Sequence, residues 1–225
     1  MEELSTEPRA TVYHNFLFAS PFNLVITESY AVRSQSKKEC DHLISLAKPH
    51  MTRSKVVDSL TGETKESSSR TSSGMSLTRG QDTIIRTIEK RIADYTSIPI
   101  ENGEGLQVLH YAIGQKSEPH FDYTNVSFVT KNGGRRMATL LMYLSDVEKG
   151  GETVFPNATA KGKLSNQCLK LKSGISVKPK MGDALLFWSM KPDGSRDPTS
   201  LHGGSPVIKG DKWSATKWMH VNKYN

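Results

Sequence analysis

His120 and Asp122 stand two apart in Glu118-Pro119-His120-Phe121-Asp122-Tyr123, and a second histidine, His202, follows much later in Leu201-His202-Gly203-Gly204. In an extended strand successive side chains alternate faces, so His120 and Asp122 point the same way while Phe121 turns into the opposite layer. If a distant strand brings His202 alongside, two imidazoles and one carboxylate meet on one face of a metal, the set that leaves open positions on non-haem Fe(II). His-x-Asp alone is a common pair, and a lone histidine is more often a satisfied surface or core residue. Lys212 changes the weighing. An iron oxygenase that oxidises 2-oxoglutarate needs a cation on the strand after the distal histidine, to pair with the far carboxylate while the 2-oxo acid end chelates the metal, and Lys212 stands in that place. Hydrolytic zinc fits worse, because no separate general base accompanies the motif and Lys212 would have no task.

The elements that must position these residues fall into two halves. Residues Arg9 to Leu17 read as a strand. A helix is expected from Ser36, where Ser36-x-x-Glu39 has the form of a capping box and Cys40, Leu43, Ile44 and Ala47 share a face. A second helix is expected from about Asp82 to Ser97, with Ile84, Ile85, Ile88, Ile92 and Tyr95 on one face and Pro99 as its stop. Met51 to Arg79 is rich in Ser, Thr, Lys and Gly and reads as a loop, with a turn at Leu60-Thr61-Gly62-Glu63. From Leu106 onward short β-rich runs are separated by Gly, Pro and Asn turns. The expected fold is mainly β with flanking helices: a double-stranded β-helix, or jelly roll, supported by two N-terminal helices, whose strands can bring His202 beside His120. Residues 1–105 form the support region and 106–225 the core, within one structural domain.

With 225 residues, 36% hydrophobic and 24% charged, the chain is long enough to bury a real core and is not disordered by composition. The formal charge of +7 comes from scattered lysines and no nucleic-acid-binding signature accompanies it, so no nucleic-acid partner is expected. Cys40 and Cys168 are too few for a disulfide framework. No run of about eighteen apolar residues occurs, and the acidic start Met1 to Glu7 does not read as a signal peptide. Membrane association is expected only through an anchor that this sequence does not show.

Several ordered blocks resemble the prolyl 4-hydroxylases of plant type, which are Fe(II)- and 2-oxoglutarate-dependent dioxygenases. They include Val12-Tyr13-His14-Asn15-Phe16-Leu17, Arg70-Thr71-Ser72-Ser73-Gly74, Leu106 to Tyr111, His120-Phe121-Asp122, Leu141 to Val147, Gly150 to Pro156, Lys178 to Leu185, and His202 through Trp218. The resemblance implies His120, Asp122 and His202 as metal ligands and Lys212 as the anchor of the co-substrate. Tyr111 and Thr139 resemble polar residues near that co-substrate, and Trp218 the aromatic wall of its pocket. Arg136, Tyr123, Trp188 and Arg70 are expected along the substrate groove, Arg70 within a lid near residues 55–79. The implied substrate is a proline-rich, cell-wall type polypeptide in polyproline II form, stiff before it binds. The resemblance also implies ascorbate as the reductant that rescues oxidised iron, and the endoplasmic reticulum as the location.

The chain departs from the pattern in places. Phe18 to Gln35 intervenes where relatives pass almost directly into a helix, and is expected as an extruded surface loop or edge strand. Ser205 stands where relatives often carry cysteine. Ser117 replaces a tyrosine next to the metal motif, and the segments from Thr124 to Asn132 and from Ala158 to Lys172 also differ. Two further readings stay open on residues alone: an iron oxygenase of another substrate, and a peptide-binding relative without turnover. A binding protein has no need of His120, Asp122, His202 and Lys212 together.

Overall fold

Along the strand Arg136–Tyr143, Leu140 and Met142 point to one side and Leu141 and Tyr143 to the other, and this period of two divides the whole molecule into layers. The computed structural model describes residues 1–18, 29–57, 64–66, 70–123 and 132–225. In chain order its first strands are β1 (Glu2–Thr6), β2 (Arg9–Tyr13), β3 (Thr52–Arg53), β4 (Lys55–Val57), β5 (Thr64–Glu66), β6 (Ser73–Leu77), β7 (Leu106–Tyr111) and β8 (Ser117–His120). There follow β9 (Arg136–Tyr143), β10 (Lys149–Gly150), β11 (Thr153–Phe155), β12 (Cys168–Lys170), β13 (Ile175–Val177), β14 (Ala184–Trp188), β15 (His202–Gly204), β16 (Val207–Lys209) and β17 (Lys212–His220). The helices are α1 (Ser29–Ala47) and α2 (Thr83–Thr96).

Eight strands make a large antiparallel sheet in the order β1-β2-β14-β9-β17-β7-β6-β3, and five make a smaller one, β12-β13-β11-β15-β8. Tyr143, Leu185 and Phe187 of the large sheet meet Phe155, Ile175 and Val177 of the small sheet in a core between the two. On its other face the large sheet packs Leu140, Met142, Ala184 and Leu186 against Cys40 and Leu43 of α1 and Ile85, Ile88 and Ile92 of α2. At about 1.5–3 kcal/mol for each large apolar side chain taken fully out of water, these two layers dominate the cohesion of the fold.

Of the two helices, α1 starts earlier than the sequence reading and α2 keeps the expected bounds. α1 is helical from Ser29, so Ser36 lies inside it and has no free first-turn amides to cap. Residues 29–35 of the segment expected as loop or edge strand are thus helix, with no Gly or Pro to break it; residues 19–28 lie outside the described residues. α2 begins where Asp82 accepts from the Ile85 N–H at 2.8 Å and ends at Ser97, whose φ is +58°. Tyr95 is not on the buried face: it is half-exposed, with its ring edge-on to Tyr13 and Phe16. Of the 55–79 stretch expected as lid, Ser73–Leu77 is instead a paired strand of the large sheet, β4 and β5 pair with each other, and the turn between them lies outside the described residues.

Two ion pairs tie the helix layer down. Arg91 of α2 grips Glu39 of α1 with both terminal nitrogens, at 2.7 and 2.9 Å. Lys217 of β17 donates to Glu89 of α2 at 2.6 Å with both side chains only 2% exposed, and Glu89 also accepts from the Gly80 N–H. Glu89→Ala strands the Lys217 cation in the core and is expected to cost about 3–5 kcal/mol. The double change Glu89→Gln with Lys217→Met removes both charges, keeps an acceptor for Gly80 and is expected to cost far less. Urea unfolding distinguishes the two, and equal losses would contradict this account of the pair.

Candidate metal centre

β8 and β15 are neighbours, and their register sets His120 opposite His202. The strands approach closely because Gly203 follows His202: a Cβ there would stand 2.9 Å from the Ser117 carbonyl oxygen and 3.1 Å from the Pro119 nitrogen. Asp122 lies one bend beyond the end of β8, with its side chain turned back toward the two histidines. Phe121, expected in the opposite layer, is 38% exposed and stacks on Tyr123, because the strand has already ended and no second layer covers it there.

The ligand atoms of His120, Asp122 and His202 all lie within 4.8 Å of one another. Each imidazole is oriented by its own backbone. His120 Nδ1 donates to the Glu118 carbonyl and His202 Nδ1 to the Ser200 carbonyl, both at 2.9 Å, which leaves each Nε2 lone pair facing Asp122 at 3.7 Å. Phe187 and Phe155 flank the His202 ring at 4.5 and 5.7 Å between centroids. Burial works against the Asp122 charge, yet His202, His120, Arg136 and the Thr139 hydroxyl outweigh it and hold the carboxyl well below the usual carboxylate range. Burial first, then His202, push His120 down to about 4, so at neutral pH the ring is neutral. A neutral imidazole beside an ionised carboxylate is the protonation state a divalent ion requires.

Thr139 donates to Asp122 Oδ2 at 2.6 Å and so fixes which carboxylate edge faces the histidines. Thr139→Val is expected to lower Fe(II) affinity about 10–100-fold with the fold intact, as read by calorimetric titration of the apoprotein. An unchanged affinity would show that Thr139 does not orient the ligand.

These residues open into a cavity between the sheets. Its far wall carries Lys212, 5% exposed, which donates to the Gly151 carbonyl at 2.7 Å and lies 5.4 and 5.9 Å from the ring centres of Tyr111 and Tyr143. Burial pushes Lys212 down to about 8, with Glu152 acting the other way. Among the described residues no carboxylate pairs with this ammonium. Trp218 lines the same cavity, and its buried indole N–H has no partner among the described residues. Two imidazoles and a carboxylate suit an octahedral ferrous ion, and a buried cation with a spare donor nearby suits a dicarboxylate, so the residues present fit both groups.

The remaining sequence candidates are distributed around this centre. Arg70 lines the cavity, 3.5 Å from His120 Nε2. Arg136 lies over the Trp218 ring at 4.0 Å and is held by Glu104, whose carboxylate also accepts from His220. Tyr123 is half-buried, with Arg196 over its ring. Trp188 is not brought to the cavity. On β14 the odd residues face the small sheet, so Phe187 lines the cavity while Trp188 faces the helix layer beneath Arg9. Phe187, Glu104 and His220 carry no motif that marks them in the sequence; alternation along β14 could have flagged Phe187 once its register was known.

The family model for the 2OG-Fe(II) oxygenase superfamily matches residues 106–220. The protein described as probable prolyl 4-hydroxylase 3 of Arabidopsis thaliana is 63% identical over 227 residues, which cover 99% of this chain and 73% of that protein. Prolyl 4-hydroxylase 5 of the same plant is 57% identical over 230 residues, covering 100% and 72%. Among solved structures, the viral collagen prolyl hydroxylase of Paramecium bursaria Chlorella virus-1, in its 2OG complex, superposes with a TM-score of 0.62 at 26% identity over 93% of this chain and 94% of that one.

Proposed function

The chain belongs to the prolyl 4-hydroxylases of the 2OG-Fe(II) oxygenase superfamily, and we propose that it converts peptidyl proline to 4-hydroxyproline in proline-rich, cell-wall type proteins, releasing succinate and CO2. It is a 2-oxoglutarate-dependent dioxygenase. The observation that carries the dioxygenase reading furthest is the buried Lys212 ammonium, with no carboxylate partner among the described residues, in the same cavity as the His120, Asp122 and His202 ligand atoms.

On this reading His120, Asp122 and His202 hold Fe(II), and Lys212 holds the far carboxylate of 2-oxoglutarate inside a low-dielectric wall made with Tyr111. The bound metal and keto acid supply the oxidising power that breaks an unactivated C–H bond. The protein's own part is positional. Thr139 and the Glu118 and Ser200 carbonyls lock the ligand side chains, and Phe155 and Phe187 keep water from His202. Lys212 must be protonated to pair with the co-substrate.

The peptide is read as lying across the cavity mouth in polyproline II form, bounded by Arg70, Tyr123 and the Trp218–Arg136 stack. A stiff strand of that kind loses little entropy on binding. The two facing sheets are read as a double-stranded β-helix with α1 and α2 as its support. Ascorbate as reductant and residence in the endoplasmic reticulum belong to the same reading; among the described residues no helix is long and apolar enough to cross a membrane.

Ser117 faces the cavity opposite Gly204 and is 8% exposed, so a ring at this position enters the cavity beside the metal ligands. Ser117→Tyr is expected to lower the peptide KM about 2–10-fold, the worth of one aromatic contact, with the KM for 2-oxoglutarate unchanged. No gain in peptide affinity would reject a peptide-contacting role for this position. The proposal as a whole is tested by amino-acid analysis of a proline-rich peptide after incubation with the protein, Fe(II), 2-oxoglutarate and ascorbate. 4-Hydroxyproline is the expected product, and succinate formation without it would point to another substrate.

A further inference from the structure

A hairpin between β14 and β15 folds back beside the loop that carries Asp122. Met190 and Arg196 form a bridge, Lys191 N–H donates to the Ser195 carbonyl and Asp197 N–H to the Ser189 carbonyl. The Ser189 N–H donates in turn to the Met137 carbonyl at 2.9 Å, which ties the hairpin to β9 at the end nearest Arg136. From this anchored position the Arg196 guanidinium carbon reaches to 5.6 Å from the centre of the Tyr123 ring. Tyr123 is stacked on Phe121 at 4.7 Å and 21°, and the two rings flank Asp122 in the chain. A cation thus stands on an aromatic platform one residue away from a metal-centre side chain.

Arg196 has not found an acid among the described residues. Its Nε is fully buried and has no hydrogen-bond partner among them. The two carboxylates closest to it in the chain are committed elsewhere: Asp197 accepts from the Thr199 N–H and hydroxyl, and Asp193 accepts from the Ser195 N–H and hydroxyl. Among the described residues no ion pair to Arg196 occurs. The two terminal nitrogens make no hydrogen bond among the described residues and, unlike Nε, are not sealed from solvent, so they are the donors that an incoming acid can reach. A planar guanidinium held over a ring keeps its fork pre-oriented, and the group that fits the fork is a carboxylate.

We propose that Arg196 is a specificity-determining residue that reads an acidic side chain of the peptide within one or two residues of the target proline. This rests on the hydroxylase reading above, and the experiment separates the two. Fluorescent proline-rich peptides carry a single glutamate at each of the two positions on either side of a central proline in turn, with glutamine peptides as controls. Dissociation constants are measured by anisotropy at low ionic strength, and hydroxylation by mass spectrometry.

At one position or more the glutamate peptide is expected to bind about tenfold tighter than its glutamine partner, the effect of one charge-assisted contact. Arg196→Met, which keeps the stem over Tyr123, is expected to erase that preference, and Arg196→Lys to restore part of it, with the KM for 2-oxoglutarate unchanged in both. A glutamate preference that survives Arg196→Met, or no preference at any of the four positions, overturns the proposal. An Arg196-dependent preference in peptides that are bound and never hydroxylated would uphold it while overturning the hydroxylase reading.

Discussion

Replacing His202 by alanine is expected to lower Fe(II) affinity and peptide hydroxylation together by more than about 100-fold, beyond the upper range of what changes to outer-shell partners cost. The loss follows from the geometry. His202 Nε2 and His120 Nε2 each stand 3.7 Å from an Asp122 oxygen, and no other His, Cys, Asp or Glu among the described residues joins them to replace a missing donor. Removing the ring also opens a gap beside Phe155 and Phe187, so a modest drop in melting temperature is expected with an unchanged far-ultraviolet spectrum. Metal titration of the folded variant is the check. Retention of tight iron binding by folded His202→Ala would remove this residue from the metal centre.

Lys212→Met is expected to raise the KM for 2-oxoglutarate about 30-fold or more while leaving Fe(II) affinity within a few-fold. Losing one member of a buried hydrogen-bonded charge pair costs about 2–5 kcal/mol, and about 1.4 kcal/mol is tenfold. The same side chain has an opposite effect on the ligand-free protein. Its pKa is about 8 in the fold against an ordinary 10.5, so between these values the unfolded chain binds a proton that the folded chain does not. Stability of the ligand-free protein therefore rises with pH across that window, and the burial cost is fully present below about 8. Lys212→Met should abolish this rise and stabilise the ligand-free protein at neutral pH. Binding of 2-oxoglutarate to the native protein should weaken as pH climbs above about 8, because the co-substrate pairs with the protonated ammonium. Thermal melts with and without 2-oxoglutarate from pH 7 to pH 10.5 read both effects, and identical profiles for native and Lys212→Met would show that Lys212 is not the group responsible.

Local spacing carried much of this architecture in legible form. His120-x-Asp122 needs only the alternation of a strand and one bend to face both side chains inward, and the apolar spacing of α2 marks Ile85, Ile88 and Ile92 as its buried stripe. What was not legible depends on partners far away in the chain. Trp188 reads as a groove aromatic, but the register of β14 against β9 turns Phe187 to the cavity and Trp188 to the helices. Nothing near Glu104 announces Arg136 and His220, nor does anything near Glu89 announce Lys217, since each contact joins a loop or helix residue to a strand far away in the chain. The start of α1 is illegible for the reverse reason: Ser36-x-x-Glu39 has the right local chemistry for a cap, but the helix simply continues through it. The backbone carbonyls that orient the two histidines have no side-chain signature at all.

The most direct measurement is mass spectrometry of a proline-rich peptide incubated with Fe(II), 2-oxoglutarate and ascorbate, native protein and His202→Ala side by side, with succinate quantified in both. Gain of one oxygen on proline matched by succinate in the native protein, and loss of both in the variant, is the predicted result. Neither product from native protein shown to be folded and loaded with iron would contradict it, and would leave a peptide-binding relative without turnover.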